Sequence, residues 1–457
     1  MNHIMSPDAW GLHAFPGGEL AIGNHGLAGL AGEYGTPLHV INEKLLVKNA
    51  ASFRASARGA YRGRSSVCYA MKCNSVPAVV DAVLRAGTGL EVMTEYELLL
   101  ALHLGCPAHD IIVNGPCKTP RFLERCIGAG VRLVIADSRG ELRCLDSLSL
   151  SRGTRTDVLL RVNPDYTPAG MNRGTATGSR RGCAFGLDLK GGEVGSALDE
   201  LSGLPGIRFL GFHLHIGTGV RRPDDYTRAL RCLGPLKRCA AERGLRVQVI
   251  DAGGGFAARC TREFGTWEFL LYQAFGTLPG PPEGRYCAGP EESIGAIAES
   301  VMNCFGSDEL PELIFEPGRC IAGSAQVLLL TVHYVKERAG AGRWLIADGG
   351  LSTVTLPTFY EYHEVFLCND VNRPRTLRST ITGPACFAGD VIYRNKLMPD
   401  VRPGEVLALM DSGAYFTAME SSFGFPRPAI VAVDGASCRL VRARETFDDM
   451  VSRDVMD

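Results

Sequence analysis

From Ser66 to Glu316 the chain alternates between short runs rich in Val, Ile and Leu and longer segments of helical periodicity. Short apolar strands followed by amphipathic helices are the pattern of βα units. Eight strands are predicted: Ser66–Met71, Leu90–Met93, Asp110–Asn114, Arg132–Ala136, Asp157–Asn163, Ile207–His215, Leu245–Asp251 and Glu312–Glu316. Helices are predicted between them, among them Ser75–Arg85, Glu95–Leu104 and Asp224–Glu242. Eight consecutive strand-then-helix units predict a TIM (β/α)8 barrel, an α/β fold whose functional face lies at the carboxy-terminal ends of the strands.

After Arg319 the texture changes. Gln326–Lys336, Arg343–Asp348, Glu364–Cys368, Glu405–Asp411 and Ala429–Val433 read as strands separated by turns, which predicts an all-β carboxy-terminal domain. The early strand-like Pro37–Ile41 is expected to pair into it. The expected organisation is therefore a barrel over residues 46–323 and a discontinuous β domain made of 1–45 and 324–457. With 457 residues there is ample length for both.

Composition excludes several classes of function. The 48 Lys+Arg balance 49 Asp+Glu, for a net charge of −1, so no global field draws the chain to nucleic acid or an anionic membrane. No stretch approaches 18 uninterrupted apolar residues, and Met1 to Leu20 lacks a basic segment followed by an apolar core. The 16 cysteines show no C-x-x-C spacing. They are expected to be reduced thiols in a cytoplasmic protein.

The strand ends carry the chemistry. The seventh strand runs into Asp251-Ala252-Gly253-Gly254-Gly255-Phe256. Three glycines allow backbone N–H groups to approach a phosphate, although an ordinary turn would look the same. The eighth ends in Glu316-Pro317-Gly318-Arg319, which sets a guanidinium beside the same place. Those are the two strand ends where TIM barrels often build phosphate sites. The first runs into Tyr69-Ala70-Met71-Lys72-Cys73-Asn74. Alone, Lys72 would be a solvated surface charge. Facing a phosphate cradle and the Glu316 carboxylate, it has what pyridoxal phosphate needs: an amine for a Schiff base, a phosphate anchor and a partner for the pyridine nitrogen. The sixth strand ends in His213-Leu214-His215-Ile216-Gly217-Thr218, with two histidines expected on one face. No third ligand stands at a zinc-like spacing, so no metal is expected. A satisfied core pair, or a His215 that stacks on a planar ring while Thr218 bonds a phosphate, remain as alternatives.

These motifs, together with Gly87-Thr88-Gly89-Leu90-Glu91, Gly383-Pro384-Ala385-Cys386 with Asp390, and Gly413-Ala414-Tyr415, resemble those of the fold-type III pyridoxal-phosphate decarboxylases, the ornithine and diaminopimelate decarboxylase family. The resemblance covers nearly the whole chain. It implies a homodimer with active sites shared between subunits, and pyridoxal 5'-phosphate as cofactor. It further implies that Lys72 bonds the cofactor, His215 stacks on its ring and Glu316 pairs with the pyridine nitrogen. Thr218, Gly255, Arg319 and Tyr415 would hold the phosphate; Glu91, Arg161, Gly253, Gly254 and Gly318 complete the cofactor-binding set. Cys386 would enter the partner's site as proton donor, a role suited to a thiol with a reference pKa of about 8.5; the alternative is a buried structural thiol.

Substrate choice is expected in Glu361, Phe387 and Asp390. Diaminopimelate decarboxylases resemble the segment Leu356-Pro357-Thr358-Phe359-Tyr360 with an arginine before the proline, and they carry a glutamate after the cysteine. Here Leu356 and Phe387 stand there, which argues against meso-diaminopimelate, whose distal charges would be buried without partners. Ornithine decarboxylases place an aspartate after the cysteine; Glu361 lies near their second acidic residue. The Cys386-Phe387-Ala388-Gly389-Asp390 run is similar to carboxynorspermidine and siderophore-pathway decarboxylases. The expected substrate is thus a modified or carboxylate-conjugated diamino acid, such as a citryl-diaminopropionate-like intermediate, ahead of diaminopimelate, lysine or ornithine. Arg173, Arg180 and Arg181 form a basic loop that would meet an anionic tail, or a solvated charge cluster. An amino-acid racemase and a non-catalytic regulator are the competing classes, disfavoured by the Cys386 motif and by the retained cofactor residues.

Overall fold

The computed structural model describes residues 5–169, 179–283, 287–306, 309–356 and 360–455. All eight expected barrel strands form, at Ser65–Ala70, Gly89–Val92, Ile111–Val113, Leu133–Ala136, Thr156–Asn163, Ile207–His213, Val249–Asp251 and Glu312–Phe315. Every neighbouring pair is parallel, and Leu133–Ala136 pairs with Thr156–Asn163 while Glu312–Phe315 pairs with Ser65–Ala70, so the sheet closes on itself. The strands are apolar on both faces because the barrel interior and the helices each need a dry surface. Cys68, Ile112, Leu133, Ile135, Leu159, Val249 and Ile314 form one such buried cluster.

The expected helix Asp224–Glu242 is two helices, Pro223–Leu230 and Leu233–Ala241. Pro235 has no N–H to give to the carbonyl four residues earlier, so a continuous helix is interrupted there. The sixth strand is shorter than expected and stops at His213. His215 therefore lies in the loop beyond it, where strand alternation no longer fixes its direction.

The chain divides into two compact units: Asn49–Ala257 with Tyr286–Ile321, which holds the barrel, and Met1–Lys48 with Ala258–Arg285 and Ala322–Asp457. The second unit is mostly sheet. Its thirteen-residue strand Gln326–Arg338 pairs antiparallel with Leu38–Asn42, Gly342–Ala347 and Val406–Leu409. Leu38–Asn42 also lies parallel to Ala429–Asp434, so the early strand does join this sheet. The segment 258–285, which the sequence reading places within 46–323, groups with this second unit. There Arg262–Glu263 pairs with Glu361–Tyr362, and Tyr272 of the helix Thr266–Phe275 accepts a hydrogen bond from Arg394 N at 3.0 Å. Strands Leu377–Thr382, Val391–Met398 and Ser437–Arg442 are absent from the sequence reading because polar residues interrupt their apolar runs.

Candidate active site

In the barrel unit the carboxy-terminal strand ends bring together a buried polar cluster. The first strand leads into a short 3-10 turn, Met71–Cys73. This turn carries Lys72, whose Nζ is ion-paired with Glu91 Oε2 from the second strand; the lysine side chain is 29% exposed and the glutamate 1%. Lys72 is thus anchored and still reachable. Burial and the nearby Glu316 push the Glu91 carboxyl up, against the pull of Lys72.

Glu316, just past the eighth strand, accepts a hydrogen bond from Asn114 Nδ2 at 3.2 Å and faces His213 Nε2 at 3.5 Å. Burial opposes its ionisation, yet a hydrogen bond from His213 and the charge of Lys72 hold it below the usual carboxylate range. Burial lowers His213 as well. A neutral His213 turned toward an ionised Glu316 satisfies both. Asp251, at the end of the seventh strand, is pushed well above its ordinary value by burial and by Glu316. One oxygen accepts from Gly253 N at 2.8 Å; among the described residues the other has no hydrogen-bond partner.

Burial drives His215 down to about 3, with Arg161 and Lys72 adding to the effect. Its Nδ1 accepts a hydrogen bond from Gly254 N at 3.2 Å, which requires an unprotonated nitrogen and fixes the ring over the glycine turn. Arg161, in the fifth strand, reaches Asn114 Oδ1 at 3.4 Å and Asp137 Oδ1 at 3.5 Å, with its guanidinium over the Phe185 ring at 4.5 Å.

The glycine triplet is demanded by close approach. A Cβ on Gly253 would strike the Leu214 carbonyl, on Gly254 that of Glu316, and on Gly255 that of Gly217; Gly253 and Gly255 also have positive φ, at 65° and 89°. The loops after the sixth, seventh and eighth strands interlock there. Gly318 is similar, since a Cβ would meet Cys73. Arg319 is buried and Thr218 half-buried.

This donor set fits a pyridoxal cofactor: an accessible primary amine, a neutral imidazole, an ionised carboxylate and a backbone turn free of side chains. A family model described as the pyridoxal-dependent decarboxylase, pyridoxal binding domain, matches residues 48–323. The chain belongs to this decarboxylase family. It is 33% identical over 96% of its length to a diaminopimelate decarboxylase of Actinosynnema pretiosum, covering 93% of that protein. With the Bacillus subtilis diaminopimelate decarboxylase it shares 29% identity, covering 96% of this chain and 95% of the relative. A crystal structure of diaminopimelate decarboxylase from M. jannaschii in complex with L-lysine superposes with a TM-score of 0.84, at 25% identity and 98% coverage of both chains. The protein is a pyridoxal-phosphate-dependent amino-acid decarboxylase built as a barrel with a mostly-sheet carboxy-terminal domain.

Two readings of the decarboxylase's sequence change here. The histidine pair does not act as one unit: His213 turns to Glu316 and His215 to Gly254. Asp251 and Glu316 also stand as metal-type ligands near the pair, with oxygens within 4.8 Å of a His213 nitrogen and of each other, although no spacing in the sequence announces them. Asn114 was overlooked as well, although it ends the third strand just as Lys72 follows the first.

The remaining predicted residues lie in the β unit. Cys386 is exposed, so the alternative of a buried structural thiol does not hold. Phe387 beside it is 53% exposed and packs edge-to-face on Phe423 at 6.3 Å. Asp390 is buried and accepts from Leu351 N at 2.6 Å and Ala385 N at 2.8 Å, so its carboxylate holds the Cys386 loop in shape. Glu361 is buried with His363 Nε2 at 3.1 Å. Tyr415 has φ of 69° and its carbonyl accepts from Thr355 Oγ1 at 3.4 Å. Leu356 packs in an apolar core with Val354 and Tyr362. Arg181 is ion-paired with Asp188 at 2.8 Å, as a solvated charge would be. Arg173 and 357–359 lie outside the described residues.

Proposed function

We propose that the decarboxylase removes the α-carboxylate of a diamino acid at the Lys72 cluster, with meso-diaminopimelate the leading substrate. What carries this reading is the anchored but reachable Lys72 set among an ionised Glu316 and a neutral His215. Lys72 would supply the amine that holds the cofactor. Glu316, with its carboxylate fixed by Asn114 and His213, would pair with the pyridine nitrogen. His215, locked by Gly254 N, would stack on the ring. The Gly253–Gly255 turn, Thr218, Gly318, Arg319 and Tyr415 grip the phosphate, while Glu91 and Arg161 frame the site. Pyridoxal phosphate, when bound, supplies the electron sink that makes loss of carbon dioxide feasible. Cys386, on an exposed loop shaped by Asp390, would act as the proton donor in the partner's site.

The substrate rests on the names of relatives that match along nearly the entire chain. A second reading, a carboxylate-conjugated diamino acid of the siderophore type, draws on Phe387: an exposed aromatic surface stands where the resemblance leads one to expect a charged grip. None of the relatives reported above is named for that activity. Both readings belong to a cytoplasmic homodimer whose subunits share sites. Mixing inactive Lys72→Ala and Cys386→Ala chains should restore part of the activity; no recovery would contradict shared sites. The deciding assay incubates cofactor-loaded protein with meso-diaminopimelate, ornithine, lysine and citrate-conjugated diamino acids, and follows carbon dioxide by mass spectrometry. Turnover of meso-diaminopimelate to lysine supports the first reading and turnover of a conjugate alone the second. Turnover of none overturns both.

A further inference from the structure

A cavity of about 1020 Å³ lies at the amino-terminal end of the barrel strands, the end opposite the Lys72 cluster. Its wall includes residues of the helices Glu43–Ala60 and Pro77–Arg85, and the first two strands begin at its floor with Ser65 and Gly89. Every lining residue falls within 51–132, inside the barrel unit. The volume is that of a small-molecule site. The amino-terminal face of a TIM barrel ordinarily serves stability alone, and decarboxylation at the other face uses none of these residues.

The lining is basic, although the chain as a whole has a net charge of −1: Arg54, Arg58, Arg64, Arg85 and Arg132 stand against Asp81 and Asp110. Three of the arginines are neutralised locally. Arg85 pairs with Asp81 at 3.0 Å, while Arg64 and Arg132 share Glu312 at 3.4 Å and 2.5 Å. Asp110 has its own neighbour, His109, at 4.0 Å. Arg54 and Arg58 differ, since neither meets a carboxylate among the described residues. They sit one turn apart on the same helix, where like charges repel. Arg54 is nonetheless held in place, donating from Nη1 to Ala86 O at 2.5 Å. Gly87 makes this possible: its φ is 80°, and a Cβ there would strike the Arg54 guanidinium. A Cβ on Gly89 would strike the Asp110 carbonyl. The Gly87-Thr88-Gly89 run therefore shapes this wall.

We infer that this cavity binds a small, multiply charged anion bearing phosphate or carboxylate groups, with Arg54 and Arg58 as its anchors. Guanidinium forks match both groups bidentately, and an anion between the two arginines turns their repulsion into attraction. Arg54 is already positioned by Ala86 O, so little side-chain freedom is lost on binding. The concave shape selects a small molecule. Nucleic acid is bound along an exposed basic stripe, and a chain of net charge −1 has no field to draw it in.

The test is isothermal titration calorimetry of the full chain with tripolyphosphate and, separately, with citrate. The protein is loaded with cofactor beforehand, so that the cofactor's own phosphate site is filled. At least one probe should bind saturably, and Arg54→Gln/Arg58→Gln should weaken that binding at least about tenfold, the worth of one charge-assisted hydrogen bond. Arg338→Gln, which removes an exposed arginine of the β unit, should leave it unchanged. Tripolyphosphate alone binding in this way assigns a phosphorylated ligand, and citrate alone a polycarboxylate. Binding of neither probe would overturn the site. So would binding that the double variant leaves intact for both probes, or that Arg338→Gln weakens equally. Should the double variant fail to fold, Arg58→Gln, which removes a side chain without a carboxylate partner, replaces it. A smaller loss in the same direction is then expected, and unchanged affinity would overturn the site.

Discussion

The two units each bury a charged cluster, and the clusters differ in how completely they are satisfied. In the β unit Glu364 accepts from Arg375 at 2.9 Å, Val365 N at 2.9 Å and Tyr362 Oη at 3.1 Å, with Lys396 at 3.2 Å. Lys396 is 3% exposed, also donates to Tyr362 at 2.7 Å and stands 4.1 Å from the centre of that ring. In the barrel unit, Asp251 Oδ2 and His213 Nδ1 are buried without hydrogen-bond partners among the described residues, and Lys72 keeps a path to solvent. The β cluster is closed, so it stabilises; the barrel cluster is open, so it is available for chemistry. Perturbed ionisation does not tell them apart. Burial lowers Lys396 to about 8, against the opposing pull of Glu364. On that ground Lys396 looks the readier nucleophile, yet nothing can reach it.

The comparison can be broken most decisively at Lys72. Lys72→Ala should reduce carbon dioxide release to background and remove the visible absorbance of bound cofactor, while the thermal transition stays near that of the parent. Glu316→Gln should lower turnover by about 100-fold or more, since a carboxylate aimed at developing charge is lost. It should also unfold somewhat earlier than wild type, because the folded site favours the Glu316 charge, and that contribution is lost with the carboxylate. Turnover intact in either variant would move the chemistry elsewhere.

The closed cluster should answer in the opposite sense. Glu364→Gln leaves Lys396 and Arg375 without a buried counter-charge and should cost about 3–5 kcal/mol, read as a drop in Tm of roughly 10 °C, with turnover per folded molecule retained. Acid sharpens the contrast. Burial works against ionisation of Glu364, but Lys396 and Arg375 overcome it and hold the carboxyl at about 2, below its ordinary 4.5. Its contribution is therefore complete above pH 4.5 and is lost as pH falls toward 2, amounting to about 3 kcal/mol. Asp251 and Glu91 are shifted upward, so protonating them favours the folded state. Denaturant titrations between pH 5 and 2 should show the wild type losing stability faster than Glu364→Gln; parallel slopes would contradict this assignment.

Much of this was legible in the sequence, for physical reasons. Barrel strands buried on both faces read as unbroken apolar runs, and Lys72, Gly253 to Gly255 and Glu316 follow directly from where those runs end. The strands Leu377–Thr382 and Val391–Met398 were not legible, because a sheet with one wet face interrupts its apolar pattern with Arg378, Arg394 and Asn395, and Lys396 adds a charge on the buried side. Asn114, Asp137 and Asp251 were hidden for another reason. A single polar residue at a strand end acquires meaning only when the barrel closes and brings distant strand ends within hydrogen-bond reach. The detour of 258–285 out of the barrel unit has no local signature either; it depends on Arg262–Glu263 pairing with Glu361–Tyr362, about a hundred residues later in the chain.

The central claim is that the open cluster, rather than the closed one, carries the cofactor, and one measurement tests it directly. The protein loaded with pyridoxal phosphate is reduced with borohydride to fix the cofactor on its lysine, then digested, and the modified peptide is identified by mass spectrometry. The account predicts the label on Lys72. A label on Lys396, or on any other lysine with Lys72 unmodified, would contradict it.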